Sequence, residues 1–334
     1  MFLSVASPTK LINITFKNFS RSKSSLRKMS ASDILKQVKA CIPPLDNSSH
    51  KGQAGRIGII GGSLEYTGAP YFSGISALKV GADLVHIFCA QSAASVIKSY
   101  SPELIVHPLL DWPNTIDEMS QWFDRLHVIV IGPGLGRQKE TFSVVTELIE
   151  IIRFKRIPLV IDADGLSLIT EKPSLLREFL SPVILTPNKI EFERLWSKLG
   201  ASPEMVTPGE ALGKYVTVLK KGEADVLFSP DVKNLEWQTD VHGSGRRCGG
   251  QGDLLSGSIA TFLHWTLANK NNITIQCSGE KSLAAASVSC YAACHLIRLC
   301  NEKAFKVNGR SMLASDMINY IHESFDELFT YDGD

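Results

Sequence analysis

The sequence predicts an α/β protein with a mainly parallel central sheet flanked by helices on both faces. Short apolar runs alternate with longer amphipathic stretches over residues 30–330, the pattern of parallel strands joined by crossover helices. The ends of those runs carry glycine, proline and small polar residues, at the edge where sheets of this kind bind ligands. No internal repeat or low-complexity linker interrupts the pattern, so the chain of 334 residues is read as one continuous domain, 30–330, behind a distinct leader.

The leader comes first in the chain. Residues 1–28 hold six Lys or Arg, no Asp or Glu, many Ser, and an interleaved apolar set that includes Phe2, Leu11, Ile12, Phe16 and Phe19. A cationic, amphipathic, acid-free composition is that of a mitochondrial transit peptide, and a disordered leader without an address is the alternative. Met29 follows at once, and a start there gives a cytoplasmic form.

Strands are expected at Arg56–Ile60, Leu84–Cys89, Leu104–Pro108, Val128–Ile131, Leu159–Asp162, Val183–Thr186, Val216–Lys220 and Asp225–Phe228. Each is a short apolar run bounded by turn residues, as strands buried on both faces are. Helices are expected at Tyr71–Gly81, Thr141–Arg153, Ile190–Leu199, Gly252–His264, Ser282–Cys300 and Ala314–Phe329, where apolar residues recur at three- and four-residue spacing. Tyr71 and Phe72 read as core residues.

Composition narrows the function classes. Lys plus Arg number 35 against 34 Asp plus Glu, so no global basic surplus draws the chain to nucleic acid or an anionic membrane. No run after the leader has the unbroken apolar length of a membrane span. Seven cysteines include no CxxC pair, and Cys290 and Cys294 stand at helical spacing in an Ala-rich stretch. They read as reduced core thiols rather than disulfides or metal ligands.

Five strand-end segments carry the site signal: Gly61-Gly62-Ser63, Gly132-Pro133-Gly134-Leu135-Gly136, Asp162-Ala163-Asp164-Gly165, Thr186-Pro187-Asn188 and Lys221-Gly222-Glu223. Any one of them alone reads as a turn. Together, at one end of one sheet, they read as a ligand site. The most specific stretch runs from Gly243 to Asp253, Gly-Ser-Gly-Arg-Arg-Cys-Gly-Gly-Gln-Gly-Asp, directly into an apolar helix. Its glycines place backbone N–H groups at a helix N-terminus, an anion site. It fits neither GxxxxGK[ST] nor GxGxxG, so the P-loop and Rossmann readings fail. Asp253, one residue beyond the glycines, suits the role of proton acceptor in phosphoryl transfer; its bland alternative is a helix cap.

Gly-Gly-Gln-Gly-Asp253 resembles the anion-hole and base motif of ribokinase-like enzymes. With Gly61-Gly62-Ser63, Tyr66-Thr67-Gly68-Ala69-Pro70, Gly132 to Gly136, Asp162 to Gly165, Thr186-Pro187-Asn188 and Glu191-Phe192, it resembles the eukaryotic ATP-dependent NAD(P)H-hydrate dehydratase family over nearly the whole chain after the leader. Bacterial relatives often carry His where Asn188 stands, and many of them use ADP, so ATP follows from the eukaryotic branch.

The resemblance implies a ribokinase-like fold and ATP-dependent dehydration of the S form of hydrated NADH and NADPH, with release of ADP and phosphate. It implies Asp253 as base and the N–H groups of Gly250, Gln251 and Gly252 as the anion hole. It places ATP on Lys221, Gly222, Glu223, Ala224 and Asp225, and on Gly243, Ser244, Gly245, Arg246, Arg247, Cys248 and Gly249 together with that hole. Hydrated NAD(P)H falls to Gly134, Gly136, Asn188, Lys189, Ile190, Glu191, Phe192, Glu193, Arg194 and Asp253, with Tyr66 to Pro70 closing over it. Magnesium bridges the nucleotide phosphates, and Glu191 either reaches it through water or is a first-turn helix acid.

The rival enzyme reading is a vitamin kinase of the same superfamily, which releases a stable phosphorylated product. A catalytically idle nucleotide-binding protein conflicts with an intact Asp253 beside intact glycines. The sequence leaves the oligomeric state open, a homo-oligomer included.

Overall fold

The computed structural model describes residues 30–330 apart from 48–49, 204, 231–234, 240, 242 and 276–279. Residues 1–28, and with them the expected leader, lie outside the described residues. Eight strands form one sheet: β1 (Arg56–Ile60), β2 (Leu84–Phe88), β3 (Ile105–His107), β4 (Val128–Ile131), β5 (Leu159–Ile161), β6 (Val183–Leu185), β7 (Val216–Lys220) and β8 (Val226–Phe228). Their order is β3-β2-β1-β4-β5-β6-β7-β8. Every pairing is parallel except β7 with β8, where a short connection forces an antiparallel return.

Successive strand residues point to opposite faces, which divides the interior into two cores. Ile57, Ile59, Val128 and Val130 face one core, with α1 (Ala31–Lys39), α2 (Gly68–Val80), α9 (Gln251–Ala268) and α10 (Lys281–Asn308). Ile60, Ile129 and Ile131 face the other, with α4 (Thr115–Phe123), α5 (Lys139–Phe154), α6 (Ala163–Glu171) and α7 (Lys189–Leu199). The remaining helices are α3 (Gln91–Tyr100), α8 (Pro208–Ala211), α11 (Ala314–Ile318) and α12 (Ile321–Phe325). Helix α10 contains a window apolar enough to cross a membrane, but 94% of that window is buried inside the protein. It is a core helix.

The strand expectations hold within a residue or two at each end. Several predicted strands had included a polar or proline terminus that leaves the ladder. Helices α1, α3, α4, α6 and α8 were not anticipated. The helix expected over Ala314–Phe329 is broken: α11 stops at Ile318, α12 starts at Ile321, and a single π-helical turn spans Asp326–Thr330.

One contact fixes the helix that matters most. Helix α9 lies so close to α2 that a Cβ on Gly257 would fall 1.8 Å from the Ser73 carbonyl oxygen, so only glycine fits. Ser73 and Ser256 hydroxyls meet across this seam at 3.2 Å, and Thr261 Oγ1 donates to the Ala77 carbonyl at 3.1 Å. The seam starts one turn below the N-terminus of α9.

Candidate active site

The carboxyl ends of the strands carry two clefts that meet at the N-terminus of α9. One, of about 600 Å³, is lined by residues that include Asn188, Lys221, Arg247, Gly249, Gly250, Gln251, Gly252 and Arg298. The other, of about 730 Å³, is lined by Glu65, Tyr66, Ala69, Gly134, Gly136, Arg137, Gln138, Ala163, Asp164 and Asp253. Gly252 faces the first and its neighbour Asp253 the second.

Gly250 caps α9 with φ 93°, a conformation that side chains strain, and a Cβ there would strike Ala314 Cβ at 2.7 Å and Phe72 at 2.8 Å. The turn it makes aims the first N–H groups of α9, which have no intrahelical acceptor, into the first cleft. The Gln251 side chain turns away. Its Nε2 donates to the Arg246 carbonyl at 3.2 Å and to Cys248 Sγ at 3.1 Å, which ties the side chain to the preceding loop.

Behind Gly252 sits a buried charge cluster. Asp162, at the end of β5, is 1% exposed, and its Oδ1 accepts from Lys221 Nζ at 2.7 Å and from Thr186 Oγ1 at 2.8 Å. A Cβ on Gly252 would lie 3.2 Å from Lys221 Nζ and 3.7 Å from Asp162 Oδ2, so the ammonium rests against the anion hole. Burial disfavours the Lys221 charge, but the Asp162 carboxylate outweighs it and raises the pKa. Asp253 feels the opposite balance. Burial, then the negative charge of Asp162, pushes its pKa up to about 8, with Lys221 only partly offsetting them. A carboxyl that titrates near neutral pH is suited to general acid–base work.

At the first cleft, α10 braces two loops from behind. Arg298 Nε pairs with Asp225 Oδ2 at 2.7 Å, and its other nitrogens donate to the carbonyls of Gly222 (3.1 Å), Glu223 (2.8 Å) and Val241 (3.4 Å). Asn301 Oδ1 accepts the Ser244 N–H at 2.6 Å. Asp225 also accepts the Gly222 N–H at 3.1 Å, so both its oxygens hold protein groups. Its role is to shape the loop.

A profile of the NAD(P)H-hydrate dehydratase family matches residues 57–323, spanning both clefts and the motifs at all five strand ends. The chain belongs to that family. An Aedes aegypti ATP-dependent (S)-NAD(P)H-hydrate dehydratase is 53% identical over 301 residues, covering 90% of this chain and 86% of its own. The human ATP-dependent (S)-NAD(P)H-hydrate dehydratase is 48% identical over 303 residues, covering 88% and 84%. Among solved structures, an ADP/ATP-dependent NAD(P)H-hydrate dehydratase from Bacillus subtilis, crystallised with ATP and magnesium, superposes with a TM-score of 0.65 at 21% identity, covering 91% of this chain and 99% of that one. A ribokinase-like superfamily protein from Enterococcus faecalis gives 0.69 at 21% identity, covering 91% and 97%. At that identity the two structures establish the ribokinase-like fold.

The expected residues of this dehydratase family member divide unevenly. Lys221, Gly222, Glu223, Asp225, Gly243, Arg247, Cys248 and Gly249 to Gly252 line the first cleft; Ala224, Ser244, Gly245 and Arg246 do not. Arg246 Nε instead donates to the Met312 carbonyl at 3.3 Å. Gly134, Gly136 and Asp253 line the second cleft. Asn188, expected on the hydrate, lines the first cleft. Lys189, Ile190, Glu193 and Arg194 are exposed on α7, Glu191 is half-buried there, and none of the five lines either cleft. Phe192 corrects the reading most clearly. It is 5% exposed and packs against Trp196 and Phe228, so its ring belongs to the core.

Arg137, Asp164, Arg298 and Asn301 had no assigned role, although each touches a cleft. One signal for Arg298 is present in the sequence: it is the first Lys, Arg, Asp or Glu after Lys281 in a largely apolar helix. A charge so placed needs a buried partner.

Proposed function

We propose that the two clefts catalyse ATP-dependent dehydration of hydrated NADH and NADPH in the S form, a carbon–oxygen lyase reaction that yields NADH or NADPH, ADP and phosphate. The observation that carries this is the junction: Gly252, in the anion hole, and Asp253, in the adjoining cleft, are consecutive residues on one helix end. A phosphoryl group held by the N–H groups of Gly250 to Gly252 lies beside the carboxyl that faces the second substrate. Asp253 takes the proton of the ring hydroxyl as its oxygen attacks the γ-phosphorus and the bond to ADP breaks. The anion hole and Lys221 stabilise charge on the moving group. The ring nitrogen then expels phosphate, a far better leaving group than hydroxide, and loss of a proton from the neighbouring carbon restores the dihydropyridine.

Magnesium supplies charge neutralisation between the nucleotide phosphates when bound. Glu191 fits an ion reached through water. Its Oε2 accepts the Asn188 N–H at 2.8 Å in a capping box, its Oε1 makes no hydrogen bond among the described residues, and burial raises its pKa. Among those residues no group of three His, Cys, Asp or Glu could cage a metal directly.

The test follows absorbance and phosphate together. Protein with magnesium and ATP should restore the dihydronicotinamide absorbance of hydrated NADH with one phosphate released per turnover, and ADP should serve much more slowly. A stable phosphorylated product would establish a kinase instead; a preference for ADP would overturn the nucleotide assignment. For location, the cationic acid-free leader supports mitochondrial import, with a cytoplasmic form started at Met29. A reporter fused to residues 1–28 should enter mitochondria, and a diffuse signal would refute this.

A further inference from the structure

The hydrate cleft poses an electrostatic problem. Glu65, Asp164 and Asp253 line it, and Arg137 is the one cation among its lining residues. A dinucleotide brings two more negative charges on its diphosphate. Something must offset them.

Arg137 is built for that task. It follows the Gly134-Leu135-Gly136 turn, and Asp164 grips the segment with both oxygens: Oδ2 accepts the Gly136 N–H at 3.0 Å, and Oδ1 accepts Arg137 Nε at 2.7 Å. Asp164 is itself held at the start of α6, with its side chain 16% exposed, whereas the Arg137 side chain is 60% exposed. The anchored Nε orients the guanidinium plane. Among the described residues Nη1 and Nη2 make no hydrogen bond. A planar fork fixed at its inner edge and free at its outer one matches two phosphate oxygens.

We infer that Arg137 binds the diphosphate bridge of the hydrated dinucleotide, with Asp164 as the residue that positions it. This rests on the reading of the Asp253 cleft as the hydrate site. Because the diphosphate is common to both substrates, Arg137 serves hydrated NADH and hydrated NADPH alike. The contact is made equally in the ground and transition states, so its loss appears mainly in KM. A charge-assisted hydrogen-bonded contact corresponds to roughly a 10- to 100-fold change in affinity.

The experiment compares wild type with Arg137→Gln and Arg137→Lys, using hydrated NADH and hydrated NADPH at saturating ATP. The expected result for Arg137→Gln is a KM raised by about 10- to 100-fold and by the same factor for both hydrates, with a KM for ATP within about twofold of wild type. Arg137→Lys, which keeps the charge without the fork, should fall between. A hydrate KM unchanged in Arg137→Gln would overturn the inference. So would a rise confined to hydrated NADPH, which would point to its extra phosphate, or an equal rise for ATP, which would point to the nucleotide cleft. Failure of wild type to turn over either hydrate would reject the underlying function instead. The exposed side chain makes loss of folding an unlikely confounder, and the thermal midpoint of each variant checks it.

Discussion

On the nucleotide side of Gly252 the wall is loop backbone, supplied largely by glycine N–H groups and braced from α10 by Arg298 and Asn301, which lie far along the chain. On the Asp253 side it is formed largely by side chains: Asp253 in the first turn of α9, Asp164 in the first turn of α6, and Arg137 in the loop after β4. Backbone donors survive every substitution except proline. Otherwise they can only be misplaced or obstructed. Side-chain groups can be deleted singly, so changes on this side should affect chemistry or hydrate binding without loosening the nucleotide.

The sharpest test of that contrast is Asp253→Asn. The substitution is nearly isosteric, and Asp253 stands in the first turn of α9, three residues after the cap Gly250, so folding and ATP affinity should survive. Loss of a general base should lower kcat by roughly 10²- to 10⁴-fold. More than about a tenth of wild-type kcat remaining would make Asp253 a first-turn helix acid, since Gly250 is the cap, and send the search for the base elsewhere.

Arg298→Ala attacks the other wall. Arg298 and Asp225 side chains are only 11% and 8% exposed, and removal of one partner strands the other. Breaking a buried pair costs about 3–5 kcal/mol. The thermal midpoint should therefore drop by on the order of 10 °C, and the KM for ATP should rise while that for hydrate moves little. A hydrate KM rising in step would show that the two walls are not independent.

The third test uses pH. With its pKa near 8, Asp253 is mostly protonated at neutral pH, so kcat/KM should climb as pH rises and level off above about 8. Asp162 contributes to that elevation, and Asp162→Asn should shift the inflection to lower pH. The stability sign is fixed by the same shift. The folded state binds this proton more tightly than the unfolded chain, whose value is 3.8, so the contribution is full below that value and is lost as pH passes through about 8. The thermal midpoint of wild type should fall relative to Asp253→Asn across that range; parallel curves would contradict the shift.

The smallest expected effect is that of Gly249→Ala. A Cβ there meets nothing within 4 Å, so the thermal midpoint should barely change. The methyl projects where a backbone-bound phosphate approaches, and the KM for ATP should rise a few-fold. An unchanged KM would place the nucleotide away from Gly249.

These contrasts also explain what was legible in the sequence. All eight strands were visible because strands covered on both faces are short apolar runs, and β1, β4 and β7 matched to the residue. Helix α6 was missed because Asp162-Ala163-Asp164-Gly165 carries the letters of a turn, and it does bend sharply, with Ala163 at φ 47°, before the helix continues. Helices α3 and α4 are short and carry few buried apolar residues, three and two respectively, so their periodicity is weak. Gly250 to Asp253 stood out in the sequence because glycines before an apolar helix expose its first N–H groups, and they lie where the two clefts meet. The Arg298–Asp225 and Arg137–Asp164 pairs did not, since partners 73 and 27 residues apart become neighbours only through the sheet order. Phe192 misled by standing beside Glu191 in sequence while facing the opposite way.

The close seam between α2 and α9 has a consequence for how variants of this protein are interpreted. Gly257 touches neither cleft, and by burial a change there would be classed as a folding defect. Yet a methyl group forced against the Ser73 carbonyl must push α9 along or away from α2, and Asp253 travels with the helix one turn above. An error of about 1 Å in a reacting group can cost on the order of 100-fold in rate. A carrier of such a variant could hold a normal amount of soluble, nucleotide-binding protein and still accumulate damaged cofactor, and only a turnover assay would reveal it.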